Sequence, residues 1–260
     1  MEVVIASTPH EVARVVADAI DALVHRQPAA VLGLATGSSP LPVYDELTRR
    51  HEEGRLSFAG ATAFLLDEYV GLPVDHPESY RAVIEREFTA RVDFDPRRVH
   101  GPDGQATDVP TACTAYEAAI RHAGGIDLQV LGVGGDGHIG FNEPGSSLAS
   151  RTRLKTLTRQ TRLDNARFFE SIDAVPHHVI TQGVGTILEA RHLVLVATGE
   201  GKAEGVARTV EGPVTAFFPS SALQLHPHVS VVVDEAAAGQ MRLTDYYRQA
   251  YAGKPDWQSL

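Results

Sequence analysis

Five short runs of apolar, mostly β-branched residues recur along the chain, at residues 31–35, 61–66, 127–133, 192–197 and 229–233. Residues 3–6 and 178–181 form two weaker runs of the same kind. The runs are nearly continuous rather than alternating, which predicts strands buried on both faces, as in a parallel sheet. Between them the apolar positions change to helical spacing. Over residues 11–25, Val12, Val15, Val16, Ala19, Ile20 and Leu23 fall on one face. Residues 77–91, 110–122, 201–210 and 241–251, and the stretch after Pro40, also read as helices. Strand alternating with helix predicts an α/β fold with a central, mostly parallel sheet flanked by helices on both faces, a Rossmann-like three-layer sandwich. No Pro/Gly/Ser-rich linker, repeat or low-complexity tract interrupts the pattern, so residues 1–260 read as a single domain.

Composition narrows the function. Of 260 residues, 43% are hydrophobic and 22% charged, as in globular domains. The net charge of −10 leaves no global basic footprint for nucleic acid, so an anionic ligand would need a local pocket of placed cations and helix N-termini. Cys113 is the only cysteine, which excludes an intramolecular disulfide and a Cys-rich metal site. No run approaches the ~18 apolar residues of a membrane span, and residues 1–5 lack the basic and apolar regions of a signal peptide. A cytoplasmic location is the expectation.

Ligands of open α/β sheets sit beyond the carboxyl ends of the strands, and the polar motifs fall there. After residues 31–35 come Thr36-Gly37-Ser38-Ser39-Pro40 and then a helical pattern. Ser39 suits an N-cap and Pro40 the first helical position, and exposed N–H groups, three hydroxyls and the helix dipole favour a phosphate. The same residues also suit an ordinary capped turn. The loop is not a Walker A motif, because no Gly-Lys-Ser/Thr follows. Gly132-Val133-Gly134-Gly135-Asp136-Gly137 matches G-x-G-x-x-G, yet the residues after it, with two more Gly and a Pro, predict a loop where a dinucleotide site requires a helix. Those glycines instead suit close approach of backbone to a small ligand.

Asp136, His138 and Glu143 share this Gly-rich loop. Histidine titrates near neutrality and a neighbouring carboxylate orients its ring, so the set suits proton transfer. Ligands for a metal and a satisfied polar turn are equally open readings of the residues alone. Asp67 and Glu68 end the run at 61–66, which places at least one carboxylate at the carboxyl edge of the sheet, as a base or as a turn cap. Arg167, in a helix-like stretch, and Lys202, at a helix start, could join the Thr36 loop in neutralising a phosphate, or be surface cations.

These motifs together resemble the glucosamine-6-phosphate deaminase family. The resemblance rests on Thr36-Gly37-Ser38-Ser39-Pro40, Leu66-Asp67-Glu68-Tyr69-Val70-Gly71-Leu72, His76-Pro77-Glu78-Ser79-Tyr80, the segment from Gly134 to Pro144, the segment from Ser146 to Arg153, and Leu223-Gln224-Leu225-His226-Pro227. It implies conversion of glucosamine 6-phosphate to fructose 6-phosphate and ammonia in amino-sugar catabolism, with no metal and no cofactor. It implies that Asp67 moves a proton between C2 and C1, that His138 assists ring opening, and that Asp136 and Glu143 hold and tune that histidine. It places Thr36, Gly37, Ser38, Ser39, Arg167 and Lys202 at the phosphate. In some members N-acetylglucosamine 6-phosphate binds a second site between subunits of a hexamer, and Ser146, Arg153, Lys155 and Tyr246 match that site. The chain departs from the family with Ser38-Ser39 where Gly-Thr is frequent, Gly135 for Asn and Gly140 for Ala. Ser retains the hydroxyl, so phosphate binding is expected to survive, and the glycines are expected to affect rate rather than reaction type. The alternatives are a related 6-phosphogluconolactonase, which shares a Gly-x-Asp-Gly-His segment, a non-catalytic sugar-phosphate sensor on the same fold, and a metallohydrolase built on Asp136, His138 and Glu143.

Overall fold

The computed structural model describes residues 1–73, 75–255, 258 and 260. Its central sheet has seven strands in the order β1-β10-β9-β6-β2-β3-β5, every neighbouring pair parallel. The strands are β1 (Glu2–Ala6), β2 (Val31–Leu34), β3 (Thr62–Leu65), β5 (Val99–His100), β6 (Leu128–Leu131), β9 (His192–Ala197) and β10 (Val229–Asp234). All five strong apolar runs and the weak run at 3–6 lie in this sheet.

Alternate residues of each strand feed opposite layers, because the side-chain period of a strand is two. In β9, Val194 and Val196 join one core with α1 (Pro9–Arg26) and α2 (Leu41–Glu52). Leu193, Leu195 and Ala197 join the other, with α4 (Val109–His122), α6 (Val184–Ile187) and α7 (Ala203–Glu211). These are the three layers the pattern predicts. Each buried Val or Leu side chain contributes about 1.5–3 kcal/mol of hydrophobic stabilisation, so both faces of β9 anchor the sandwich.

Local signals set the helix ends. Thr8 accepts the Glu11 N–H while the Glu11 carboxylate accepts the Ser7 N–H, and Pro9 occupies the first turn of α1. The start of α2 differs from expectation: it begins at Leu41 with Pro40 in the cap position and no side-chain cap bond from Ser39. The stretch 77–91 is also not one continuous helix. It contains α3 (Tyr80–Ile84), capped by Ser79, and then a wider turn over Glu85–Thr89 in which Ala90 N–H reaches back five residues to Glu85 O. The extra residue turns Phe88 into a cluster with Tyr44, Phe58 and Phe94.

A second sheet lies at the carboxyl end of the first. It is antiparallel, in the order β4 (Asp67–Tyr69), β8 (His178–Thr181) and β7 (Arg153–Thr156). The run at 178–181 therefore belongs here and not to the parallel sheet. Thr181 stands opposite Asp67 on one side and Arg153 on the other. Gln182 ties the two sheets: its N–H donates to Leu66 O at 2.8 Å and its side-chain amide to Leu65 O at 3.0 Å. The remaining helices are α5 (Arg159–Asn165) and α8 (Thr244–Ala252). No helix among the described residues is long and apolar enough to cross a membrane.

Candidate active site

A cleft of about 540 Å³ opens beyond the carboxyl ends of β2, β3, β6 and β9. The turn between β2 and α2 forms one wall with Thr36, Gly37, Ser38 and Ser39. Its position is fixed from the core. The buried Tyr44 hydroxyl of α2 accepts the Ala35 N–H at 3.1 Å and donates to Ala35 O at 2.8 Å. Burial pushes the Tyr44 hydroxyl well above its ordinary range, so it stays protonated.

Asp67, the first residue of β4, lies at the inner end of the cleft and is 5% exposed. Burial, and after it the charge of Glu68, raises its carboxyl from 3.8 to about 8. The backbone at Gly140 passes close by with φ +55, and a side-chain carbon there would stand 2.9 Å from Thr181 Oγ1 and 3.3 Å from Asp67 Oδ2. Glycine is the residue that admits both the left-handed backbone and the approach.

The segment after β6 stays a loop, with no helix following Gly137, so the dinucleotide motif lacks its required context. Its Gly134 turn lets the loop fold back: Gly134 N–H donates to His138 O at 3.0 Å, and a side chain at 134 would overlap the His138 ring. His138 Nδ1 lies 2.6 Å from Asp136 Oδ1, and the His138 N–H donates to the same oxygen at 3.2 Å. The bond from His138 is the main reason the Asp136 carboxyl is held below its ordinary range. With Nδ1 engaged, Nε2 of the ring is free for exchange with a ligand.

Lys202 reaches the cleft from the turn before α7 and donates to Val133 O at 2.8 Å. Burial, opposed by the Asp136 charge, lowers its ammonium pKa. Arg167 lines the same cleft from the turn after α5, with its guanidinium 4.7 Å from the Phe168 ring, and its charge also bears on Lys202. The six residues matched to a phosphate thus border one cleft with Asp67, Asp136 and His138. α5 and its flanks roof it with Thr158, Gln160, Thr161, Asp164 and Asn165.

Glu143 has a different partner from the one its family position implies. Its carboxylate accepts the Thr161 hydroxyl of α5, and the carboxylate on His138 is Asp136. Among the described residues Glu143 makes no hydrogen bond to His138 or Asp136, and no three His, Cys, Asp or Glu side chains form a metal-holding group. The four residues matched to an activator site do not line the cleft. Arg153 donates to Asn142 Oδ1 at 2.9 Å, burial lowers its pKa, and Lys155 shares its strand. Ser146 is buried with its hydroxyl unpartnered. Tyr246, 64% exposed, lies on α8, which packs against β1 at the far edge of the central sheet. Tyr246 therefore does not join the other three within one chain.

Several residues that the sequence did not single out for a role belong to the site. Tyr80 and Phe141 line the cleft with rings stacked 5.9 Å apart. Asn142 is fully buried, donating to Ile139 O at 2.9 Å and Gln182 O at 2.8 Å, and so sets the shape of the loop after His138. The Thr181 hydroxyl accepts the Phe141 N–H at 3.1 Å. The signal for Tyr80 was its place in the His76-to-Tyr80 block, and for Phe141 and Asn142 their place in the Gly134-to-Pro144 segment; Thr181 carried none.

A parallel sheet in this order, with a buried carboxyl and an Asp–His pair facing a hydroxyl- and cation-lined cleft, is that of an α/β enzyme acting at the carboxyl edge of its sheet. Residues 6–233 match the family of glucosamine-6-phosphate isomerases/6-phosphogluconolactonase. Proteins named glucosamine-6-phosphate deaminase from Beutenbergia cavernae and Mycolicibacterium smegmatis are 65% and 64% identical, each over 100% of both chains. A solved monomeric glucosamine-6-phosphate deaminase superposes with a TM-score of 0.89 at 43% identity, over 92% of this chain and 99% of that one. The 6-phosphogluconolactonase from Trypanosoma cruzi shares the fold, with a TM-score of 0.74 at 21% identity over 93% of this chain and 97% of its own. The chain belongs to the glucosamine-6-phosphate isomerase/6-phosphogluconolactonase family, and within it to the glucosamine-6-phosphate deaminases.

Proposed function

We infer that the protein converts glucosamine 6-phosphate and water to fructose 6-phosphate and ammonia in amino-sugar catabolism, acting as one domain in the cytoplasm. The observation that carries the reading is the buried Asp67 carboxyl, raised to about 8, at the inner end of a cleft shared with the His138–Asp136 pair. A carboxyl tuned toward neutrality suits a proton that must leave carbon and return to it.

The steps follow from the placement. Thr36, Gly37, Ser38 and Ser39, with Lys202 and Arg167, hold the phosphate at the outer end of the cleft. His138 takes the proton of the anomeric hydroxyl and returns one to the ring oxygen, which opens the pyranose. Asp136 orients the imidazole and stabilises its charged form. Asp67, ionised once the substrate ammonium enters beside it, removes the C2 proton while the ammonium passes one proton to the aldehyde oxygen. The enolamine formed takes that proton back at C1, which leaves C2 as an iminium. Water adds to C2, and ammonia departs as the ketone forms. Glu143 joins His138 when it releases Thr161. The groups named supply every proton transfer, and the proposal includes no metal and no cofactor.

The test is release of ammonia and fructose 6-phosphate from glucosamine 6-phosphate by chelator-treated protein, with and without N-acetylglucosamine 6-phosphate. Turnover in chelator supports the reading. Hydrolysis of 6-phosphogluconolactone without turnover of the amino sugar overturns it. Binding of N-acetylglucosamine 6-phosphate at Ser146, Arg153 and Lys155, completed by Tyr246 of another copy, belongs to the same proposal. A rate change with the acetylated sugar that Arg153→Ala removes is the expected outcome, together with an oligomer in solution.

A further inference from the structure

β4 carries two adjacent carboxyls in opposite settings. Asp67 faces the cleft, whereas Glu68, 7% exposed, accepts three backbone N–H groups: Tyr69 at 2.8 Å, Tyr80 at 2.9 Å and Arg81 at 2.9 Å. Two of these donors open α3, where the first N–H groups of a helix lack intrahelical partners. Ser79 caps the next, accepting the Ala82 N–H at 3.1 Å. Burial raises the Glu68 carboxyl above its ordinary range, and the three converging N–H groups and the helix start oppose that rise by favouring its anion. The same bonds fix Tyr80, whose ring lies 4.7 Å from Tyr69 and whose hydroxyl donates to the Tyr69 hydroxyl at 3.2 Å.

We propose that Glu68 is a positioning residue for the reaction: anchored on α3, it sets Asp67 and Tyr80 on the cleft wall and keeps a second carboxyl group next to Asp67 on the same strand. This rests on the reading of Asp67 as the proton-transferring group. The other groups around Asp67 leave Glu68 as the adjacent charge. Tyr69 of β4, Tyr80 of α3 and Tyr116 of α4 are neutral hydroxyls, and β8 presents Thr181. Across the cleft stand His138, Asp136 and Lys202, and behind Glu68 stands the Arg81 guanidinium. Burial is the larger cause of the high Asp67 pKa and Glu68 the second, so the neighbour adjusts what the site's dryness sets. The arrangement keeps the proton on Asp67 in the empty cleft, and a substrate ammonium would offset it.

The experiment follows the Asp67 carboxyl by NMR titration of 13C-aspartate-labelled protein, its resonance identified by loss in Asp67→Asn, beside the pH profile of kcat/KM. Glu68→Gln keeps the size but loses the charge and sets an amide N–H against the Arg81 N–H. It is expected to move the Asp67 titration and the acid limb of the profile down by about one pH unit. Ser79→Ala loosens the same helix start without a charge change and is expected to leave both unmoved. Arg81→Gln, which leaves all three backbone bonds to Glu68 in place, is expected to move the titration up. An Asp67 titration in Glu68→Gln that matches wild type overturns the proposal. Should Glu68→Gln not fold, 13C-glutamate titration of the wild type decides instead, and a Glu68 carboxyl still protonated where Asp67 loses its proton overturns the proposal. Wild-type protein inactive on glucosamine 6-phosphate sinks the deaminase reading alone, because the NMR titration needs no turnover.

Discussion

Replacing Asp67 by Asn should stabilise the fold while it removes most turnover, and the pH dependence of the gain is the informative part. Asp67 is 5% exposed, and its carboxyl is raised from 3.8 to about 8, first by burial and then by Glu68. A folded-state pKa above the unfolded value means the native state holds its proton across that interval while the unfolded chain has lost it. The associated stability is fully present below about pH 4 and falls as pH rises through about 8. At about 1.4 kcal/mol per pH unit, the interval sets a ceiling of about 6 kcal/mol on the cost of ionising Asp67 at pH 9. Asparagine matches the shape and does not titrate. Urea unfolding of both proteins from pH 4.5 to 9 should therefore give midpoints that lie close in acid and separate steadily, with the variant more stable at pH 9 by several kcal/mol. Turnover should fall about 100- to 10,000-fold with ligand affinity retained. Parallel stability curves would refute the reasoning by showing that the carboxyl is not the buried, proton-holding group described, and a rate near wild type would refute it by showing that Asp67 does not move the proton.

His138→Gln should lose more activity on the closed pyranose than on an open-chain analogue, measured as kcat/KM on each, and equal losses would remove the ring-opening role. Lys202→Met should raise KM for the phosphorylated sugar at least tenfold, with a smaller change in kcat, since a charge-assisted hydrogen bond contributes about 1.5–3 kcal/mol. Thr161→Val removes the hydroxyl that engages Glu143, and it should raise kcat/KM by a few-fold if Glu143 must leave Thr161 to reach His138. A lower value in that variant would show that the Thr161 bond serves catalysis instead.

Six strands of the central sheet were legible because burial on both faces writes a nearly continuous apolar run, whereas the two-residue edge strand β5, with His100 only partly buried, writes none. The second sheet was not legible. β4 consists of Asp67, Glu68 and Tyr69, and β7 alternates partly buried with exposed positions across Arg153 to Thr156, so neither carries a strand's apolar signature. β8 carries one, and its apolar character says that it is covered without saying which sheet covers it. The helix at 77–91 misled in length because one extra residue at the turn over Glu85–Thr89 preserves composition and shifts phase. Residue types at strand ends placed the cleft correctly, whereas the partner of Glu143 depended on how α5 folds over the loop. Closeness in sequence to His138 gave no information about that contact.

Thr181 has a wider consequence. Because it sits between Asp67 and Arg153 in one ladder, the separation of those two residues is set by strand registration, which changes only in whole-residue steps that would also reverse which face each side chain occupies. The second sheet behind Asp67 behaves as a fixed ruler. The roof, built from α5 and the turns beside it, carries no such constraint. Descendants of this chain can therefore trial new sugars by editing the roof while the reacting carboxyl keeps its coordinates, which gives one scaffold room to diversify without re-threading its strands.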